Sequence, residues 1–224
     1  MFLHGLGDTP SGWSSIQSAL PQTRPSLSCL AYRFPPAPVI SITINGGSKM
    51  PGWFDLYDWP IAVGSKDDRK GLERSVAAIE TEVKKLQDEE GIPPERIVVG
   101  GFSQGGAAAL LAAYRGGGEG GAGDKFRPYA GCAVLSGWLT LPDELKVPEQ
   151  ARDKTPLLWA HGEYDDKVLF EQQAFGVDKL RGEGVKVTDL QYDMGHQSDP
   201  DELVELAKFL ESTLFGSDKK GDEL

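Results

Sequence analysis

Gly101-Phe102-Ser103-Gln104-Gly105 is the stretch that decides the fold. A β-branched run precedes it at 96–100, Arg-Ile-Val-Val-Gly, and a run rich in alanine and leucine follows at 106–114. Strand, tight turn and helix are the context in which Gly-x-Ser-x-Gly forms a nucleophile elbow. The sequence therefore predicts that Ser103 is a nucleophile at the head of a helix. The alternative is an ordinary strand-to-helix turn whose serine only caps the helix.

Glycine at both 101 and 105 has a steric explanation. The serine of such a turn adopts a strained backbone conformation, and a Cβ two positions to either side would clash. The helix N-terminus behind Ser103 also presents free N–H groups and a partial positive charge, which stabilise an oxyanion. We expect the turn to supply half of an oxyanion hole.

Composition limits the fold and the partners. The chain has 224 residues, of which 39% are hydrophobic, and this is enough to bury the core of one α/β domain, which we place at 1–215. The formal net charge of −11 argues against nucleic acid, because phosphate binding needs a basic face. It also disfavours electrostatic docking to an anionic membrane, which leaves at most peripheral contact through a substrate.

Cysteine usage favours a reducing compartment. The chain has two cysteines, Cys29 and Cys132, too few for a disulfide framework. We therefore expect a cytoplasmic protein. The C-terminal sequence Gly221-Asp222-Glu223-Leu224 resembles an ER-retrieval signal that lacks its lysine. The ER lumen is the alternative if a signal sequence precedes the first residue.

Apolar periodicity predicts strands that alternate with helices. The predicted strands are 2–3, 27–34, 96–100, 132–135, 156–160 and 185–192, and the predicted helices are 13–20, 71–90, 106–114, 169–181 and 200–215. Pro21 is expected to end the first helix, and Pro35-Pro36 the second strand. This order indicates a mostly parallel, doubly wound sheet with helices on both faces. In such sheets the site lies at the carboxyl ends of the strands.

Three segments lack a clear period. Residues 37–60 carry four aromatic side chains and are interpreted as a substrate loop. Residues 116–125 are glycine-dominated and are interpreted as a surface insertion without the ending of a phosphate-binding loop. Residues 216–224 are interpreted as a disordered acidic tail.

A serine nucleophile needs a base, and the base needs an orienting acid. Chains with this elbow place the acid and then the base after the serine. Of the three histidines, His4 precedes Ser103, and His161 ends the strand that should deliver the acid. His196, just past the last strand, is the remaining candidate for the base.

The acid is expected in the loop that follows the strand 156–160. Asp165 is the preferred candidate, Asp166 and Glu163 are alternatives in the same loop, and Asp193 is a more distant one. The second oxyanion donor is expected from the loop after the first strand, where Leu6 N–H is the natural candidate. His4 is expected to hold that loop by hydrogen bonding. The histidines are scattered, so no metal and no other cofactor is predicted.

Six motifs, in this order, resemble the acyl-protein thioesterase family, also called the phospholipase/carboxylesterase family. They are His4-Gly5-Leu6-Gly7-Asp8, Asn45-Gly46-Gly47, Met50-Pro51-Gly52-Trp53-Phe54-Asp55, Gly101-Phe102-Ser103-Gln104-Gly105-Gly106, His161-Gly162 with Asp165 and Val168, and Gly195-His196. The resemblance covers nearly the whole chain.

The resemblance implies an α/β-hydrolase fold without a large cap domain. It implies Ser103, Asp165 and His196 as the catalytic triad, and the backbone N–H groups of Leu6 and Gln104 as the oxyanion hole. The loop with Trp53 and Phe54 is implied to bind the substrate beside an acyl-chain groove.

The resemblance also implies the activity. The family hydrolyses S-acyl groups on protein cysteines, and some members prefer small carboxyl esters or lysophospholipids. We therefore expect a serine hydrolase that acts on S-acylated proteins or small acyl esters. The alternatives are a short-chain carboxylesterase or lysophospholipase, and a catalytically silent binding protein on the same fold.

Overall fold

The computed structural model describes residues 1–115 and 127–216. The predicted insertion at 116–125 lies outside the described residues, and so does the predicted tail except for Gly216. The assignment of 1–215 to one domain therefore stays a prediction.

The strands form one large sheet and one hairpin. In chain order they are β1 (Phe2–Leu3), β2 (Val39–Ile42), β3 (Ser48–Pro51), β4 (Val98–Phe102), β5 (Gly131–Leu135), β6 (Leu157–Gly162) and β7 (Val187–Tyr192). The large sheet has five strands in the order β1-β4-β5-β6-β7, and all of its pairs are parallel. Every residue of β5 and β6 is buried, as expected for strands covered on both faces.

Helices cover both faces of this sheet. They are α1 (Pro10–Trp13), α2 (Ile16–Thr23), α3 (Arg69–Glu90), α4 (Gln104–Tyr114), α5 (Glu149–Lys154), α6 (Glu171–Gly182) and α7 (Pro200–Phe215). One buried cluster contains side chains of α3, α4 and α6, and a second contains side chains of α2 and α7. The predicted α/β fold with a parallel sheet is confirmed, and the described residues include no cap domain. No helix within 1–115 and 127–216 has both the length and the hydropathy needed to cross a membrane.

The longest helix, α3, has clear signals at both ends. The Asp68 carboxylate accepts a hydrogen bond from Gly71 N–H at 3.0 Å and caps the N-terminus. Gly91 ends the helix with φ of +68°, the left-handed conformation that glycine adopts without strain. These signals explain why the predicted helix at 71–90 agrees closely with the observed one.

The prediction for residues 27–34 was wrong. A 3₁₀ helix spans Pro25–Cys29, and no strand follows before β2. Ser28 Oγ donates to Pro25 O at 2.8 Å, a local bond that competes with strand pairing. Only Phe2 N–H reaches this stretch from β1, donating to Arg33 O at 2.8 Å. Pro21 also lies inside α2 instead of ending it.

The segment 37–60 is more regular than its sequence indicated. β2 and β3 form an antiparallel hairpin in which Val39 pairs with Pro51 and Ile42 with Ser48. Gly46 and Gly47 reverse the chain with φ of +65° and +78°. The hairpin is short and half exposed, so its apolar residues do not show the regular alternation that reveals a strand.

Glu202 lies in the first turn of α7 and is fully buried. Neither of its carboxylate oxygens has a hydrogen-bond partner among the described residues. Burial raises the pKa of Glu202 to about 8, and the charge of Asp199 adds to this effect. The folded protein therefore keeps a proton on Glu202 at pH values where the unfolded chain has lost it.

We expect the Glu202→Gln variant to be more stable than the wild type near pH 9 and to differ little near pH 5. The folded pKa of about 8 exceeds the usual 4.5, so the free energy of unfolding of the wild type falls as the pH rises through this window. Glutamine does not titrate, and the expected gain is on the order of 4 kcal/mol. Urea unfolding at both pH values measures it.

Glu205→Gln is the matched control, because Glu205 lies on the same helix and forms a half-exposed ion pair with Lys208 at 2.5 Å. It should leave the pH dependence of stability unchanged. Equal pH slopes for wild type and Glu202→Gln would contradict the prediction.

Candidate active site

Ser103 stands between β4 and α4 in a strained backbone conformation, with φ of +53° and ψ of −123°. A Cβ on Gly101 would lie 2.5 Å from the carbonyl carbon of Gly105. A Cβ on Gly105 would lie 2.6 Å from His4 O and closer still to Leu3 O. The predicted steric need for both glycines is confirmed. The backbone of this turn packs so closely that neither position has room for a side chain.

The structure brings Ser103, His196 and Asp165 together. His196 Nε2 lies 2.9 Å from Ser103 Oγ, and His196 Nδ1 lies 2.7 Å from Asp165 Oδ2. A carboxylate can only accept, so Nδ1 carries the proton and Nε2 is free to accept the serine proton. This is the geometry of a nucleophile, a base and an orienting acid.

Asp165 is buried and carries a negative charge. Its Oδ1 accepts hydrogen bonds from the backbone N–H groups of Lys167 and Val168, each at 2.9 Å. Burial alone would raise the pKa of Asp165, but hydrogen bonds from His161 and His196 outweigh it, and Val168 N–H adds to them. The result is a pKa well below the usual range, so Asp165 stays charged at neutral pH.

The alternative acids do not reach His196. Asp166 is exposed and pairs with Lys167 Nζ at 3.0 Å, while Glu163 and Asp193 are also exposed. Only Asp165, of the candidates considered, is buried against the base. The three groups follow β4, β6 and β7, which agrees with the expectation that the site lies at the carboxyl ends of the strands.

The two residues expected to supply the oxyanion hole, Leu6 and Gln104, belong to segments that adjoin Ser103. Gly5 packs against the nucleophile, since a Cβ there would lie 3.5 Å from Ser103 Cβ. Leu6 follows in the same loop, and Gln104 is the first residue of α4. Neither Leu6 N–H nor Gln104 N–H donates to another of the described residues, so both are available to a ligand. His4 holds the loop as expected: its Nδ1–H donates to Gly5 O and its Nε2 accepts from Ala37 N–H.

Trp53 and Phe54 do not face an open groove. Each is 1% exposed, and Phe54 packs edge-on against Trp138 at 5.7 Å. The Trp53 indole N–H donates to His4 O at 2.9 Å. The expectation that both side chains bind substrate is therefore corrected. Both side chains lie behind the loop 4–8, called the oxyanion loop below. In this place the indole N–H has a hydrogen-bond partner and both rings are buried in the apolar core.

Two further residues support the site and had weak sequence signals. His161 Nε2 lies 2.8 Å from Val168 O and 3.4 Å from Asp165 Oδ2, which ties β6 to the acid loop. The Phe102 ring lies 4.9 Å from the His196 ring, and Trp13 packs behind Phe102 at 5.2 Å. His161 could have been found from its spacing of four residues from Asp165. Phe102 occupies the variable position of the elbow motif and gave no signal.

Fold and site together define a hydrolase of the α/β-hydrolase class. A family profile described as phospholipase/carboxylesterase matches residues 1–214, and the chain belongs to this family.

Curated relatives match nearly the whole chain. The acyl-protein thioesterase 1 of Mycosarcoma maydis is 38% identical and covers 95% of this chain and 90% of its own length. That of Saccharomyces cerevisiae is 35% identical, covering 96% and 92%. A probable carboxylesterase of Oryza sativa is 34% identical, covering 98% and 79%.

Solved structures agree with the fold. Arabidopsis thaliana SOBER1 superposes with a TM-score of 0.82 at 32% identity, covering 95% of this chain and 97% of the other. Zea mays acyl-protein thioesterase 2 superposes with a TM-score of 0.74 at 29% identity, covering 95% and 92%.

Gly101→Ala should destabilise the protein by about 3 kcal/mol or more, because the new Cβ meets backbone atoms that cannot rotate away. Gly182→Ala is the control, since a Cβ there meets nothing within 4 Å. Thermal unfolding of the two variants measures the difference. Equal melting temperatures would mean that the elbow tolerates a Cβ at 101.

Asp165→Asn should lower kcat by about a thousandfold or more, because an amide does not hold His196 in the required tautomer. Asp166→Asn is the matched control in the same loop, and its kcat should stay near that of the wild type. Hydrolysis of a p-nitrophenyl ester measures both. A large loss in Asp166→Asn with activity kept in Asp165→Asn would move the acid to Asp166.

Proposed function

We propose that this hydrolase cleaves acyl thioesters on proteins, or related carboxyl esters, through an acyl-enzyme on Ser103. The observation that carries the proposal is the continuous hydrogen-bonded chain from Ser103 through His196 to Asp165, with spacings of 2.9 and 2.7 Å. In this proposal Ser103 is the nucleophile, His196 the general base and acid, and Asp165 the orienting acid. Leu6 and Gln104 supply the oxyanion hole.

In the acylation half, His196 Nε2 takes the proton from Ser103 Oγ as the oxygen attacks the acyl carbonyl carbon. The carbonyl electron pair moves onto its oxygen, where the N–H groups of Leu6 and Gln104 donate to the new negative charge. The carbon–sulfur or carbon–oxygen bond then breaks. The leaving thiol or alcohol takes the proton from His196, and the acyl group stays on Ser103.

In the deacylation half, water enters where the leaving group stood. His196 Nε2 takes a proton from the water as its oxygen attacks the acyl carbon. The bond between the acyl carbon and Ser103 Oγ breaks, and His196 returns the proton to the serine. A fatty acid leaves, and the enzyme is restored without a metal or cofactor in any step.

The thioester substrate is supported by the relatives named acyl-protein thioesterase, at 38% and 35% identity. A thiolate is a good leaving group, so a thioester needs little help beyond a nucleophile and an oxyanion hole. The proposed partners are S-acylated proteins, met in the cytoplasm at the membrane surface that holds their acyl chains.

A carboxylesterase or lysophospholipase is the second candidate function. It is supported by the relative named a probable carboxylesterase, at 34% identity. The same Ser103 chemistry serves both substrates, so acyl length and leaving group separate them. The ratio of kcat/KM for a palmitoyl-cysteine peptide to that for p-nitrophenyl butyrate distinguishes the two. A catalytically silent binding protein would show no turnover of either.

Ser103→Ala should lower kcat by at least about a thousandfold and abolish labelling by a fluorophosphonate probe, because no other described residue occupies the nucleophile position. Ser136→Ala is the matched control. Ser136 also follows a sheet strand with positive φ, at +50°, and its buried hydroxyl has no hydrogen-bond partner within 1–115 and 127–216. It should keep full labelling.

Competition with a palmitoyl-thioester peptide extends this measurement to the substrate. Labelling that requires Ser103 and is blocked by the peptide supports the thioesterase proposal. Labelling that the peptide leaves intact supports the carboxylesterase. Unchanged labelling of folded Ser103→Ala would contradict the mechanism for both.

A further inference from the structure

The segment 51–54 begins at the last residue of β3. It contacts the oxyanion loop on both sides of Leu6. Before Leu6, the Trp53 indole N–H donates to His4 O at 2.9 Å. After Leu6, Gly7 N–H donates to Pro51 O at 2.8 Å. The loop that carries one proposed oxyanion donor is therefore attached at both ends to the segment 51–54.

The same segment is attached to the residue that carries the other donor. Trp53 N–H donates to Gln104 Oε1 at 2.9 Å, and Gln104 Nε2 donates to Phe54 O at 2.6 Å. From α3, Ser75 Oγ donates to Trp53 O. The Gln104 backbone N–H is the other proposed oxyanion donor, and the Gln104 side chain is hydrogen-bonded to the segment that holds Leu6.

Apart from the bond between Gly7 and Pro51, these hydrogen bonds lie where water cannot replace them. His4, Trp53, Ser75 and Gln104 are each at most 2% exposed. A buried donor or acceptor that loses its partner keeps the full cost of desolvation, so the arrangement is held in one geometry. Oxyanion donors need such fixed placement, because a shift of about 1 Å can cost a hundredfold in rate.

Trp159 shows that burial alone does not require this bond. Its side chain is fully buried, yet its indole N–H has no hydrogen-bond partner among the described residues. It packs beside Gly176 in the core instead. Trp53 differs because its N–H is aimed at the carbonyl of the oxyanion loop.

We propose that Trp53 is a positioning residue for the oxyanion hole. Its indole N–H fixes the His4 carbonyl, and this sets where Leu6 N–H lies relative to Gln104 N–H. The inference rests on the proposed function, since it concerns the stabilisation of the oxyanion formed on Ser103. Trp53 then helps to stabilise the transition state and does not contact the acyl chain.

The test compares Trp53→Phe, which keeps an aromatic ring and removes the N–H, with Trp159→Phe, which makes the same change at an unpartnered indole. Two inhibitors of equal chain length are used. Ser103 Oγ adds to the carbonyl carbon of a long-chain trifluoromethyl ketone, the serine proton passes to His196, and the carbonyl electron pair moves onto its oxygen to form an oxyanion. A long-chain alkyl thioether is unreactive and reports only binding of the chain.

For Trp53→Phe we expect kcat to fall by about 10- to 100-fold and the Ki of the ketone to rise by a similar factor. KM and the Ki of the thioether should stay within about twofold, because they report ground-state binding. Trp159→Phe should leave kcat and both Ki values unchanged. A merely structural role would not separate the ketone from the thioether.

Parallel losses for both inhibitors would overturn the proposal and return Trp53 to the acyl-binding surface. Unchanged Ki values of Trp53→Phe for both inhibitors would also overturn the proposal. If circular dichroism shows that Trp53→Phe does not fold, Ser75→Ala removes the hydroxyl that holds Trp53 O, and the same separation is expected at smaller size. An unchanged ratio of the two Ki values in that variant overturns the proposal. Failure of the proposed function is distinct, because the wild type itself would then resist the ketone.

Discussion

The close approach of α4 to the end of β1 is the constraint on which the rest of the site depends. Gly105 lies against the Leu3 and His4 carbonyl groups, and Gly101 lies against Gly105. Every residue of α4 is buried, so the helix cannot move away to relieve the contact. The strain at Ser103, on the order of 1 to 3 kcal/mol for such a conformation, is therefore retained by packing. Ser103, the N-terminus of α4 and the loop that carries Leu6 meet because these backbones are in contact.

The environment of Asp165 determines which groups of the site can take up a proton. Two backbone N–H groups and His196 donate hydrogen bonds to one carboxylate, and His161 Nε2 lies 3.4 Å from it. A carboxylate so fully hydrogen-bonded has a strongly depressed pKa and does not take a proton at neutral pH. In the proposed mechanism, proton movement is therefore confined to Ser103 and His196. The proposed role of Asp165 is to orient His196 and to supply negative charge.

The sequence predicted most of the fold where a signal was local. The elbow, α3 and α7 have glycine, proline or capping residues within the segment itself, and Ser103 and His196 followed from strand order. The strand predicted at 27–34 is wrong because Leu27 joins the core from a 3₁₀ helix, and the apolar residues after it pack against the core without forming a strand. The hairpin within 37–60 was missed because its two strands pair only with each other and stay half exposed.

Side-chain direction was the part that the sequence could not decide. An aromatic residue near an oxyanion loop can face the substrate or the core, and composition favours neither. Trp53 faces the core because its indole N–H and its backbone find partners 49 and 51 residues away, on His4 and Gln104. Such partners exist only in the assembled fold. A chain with the elbow motif but a different segment 51–54 would still place Ser103 correctly, yet its oxyanion donors would lack a common attachment. The motif therefore specifies the position of Ser103, whereas the fold as a whole specifies where the proposed oxyanion donors lie.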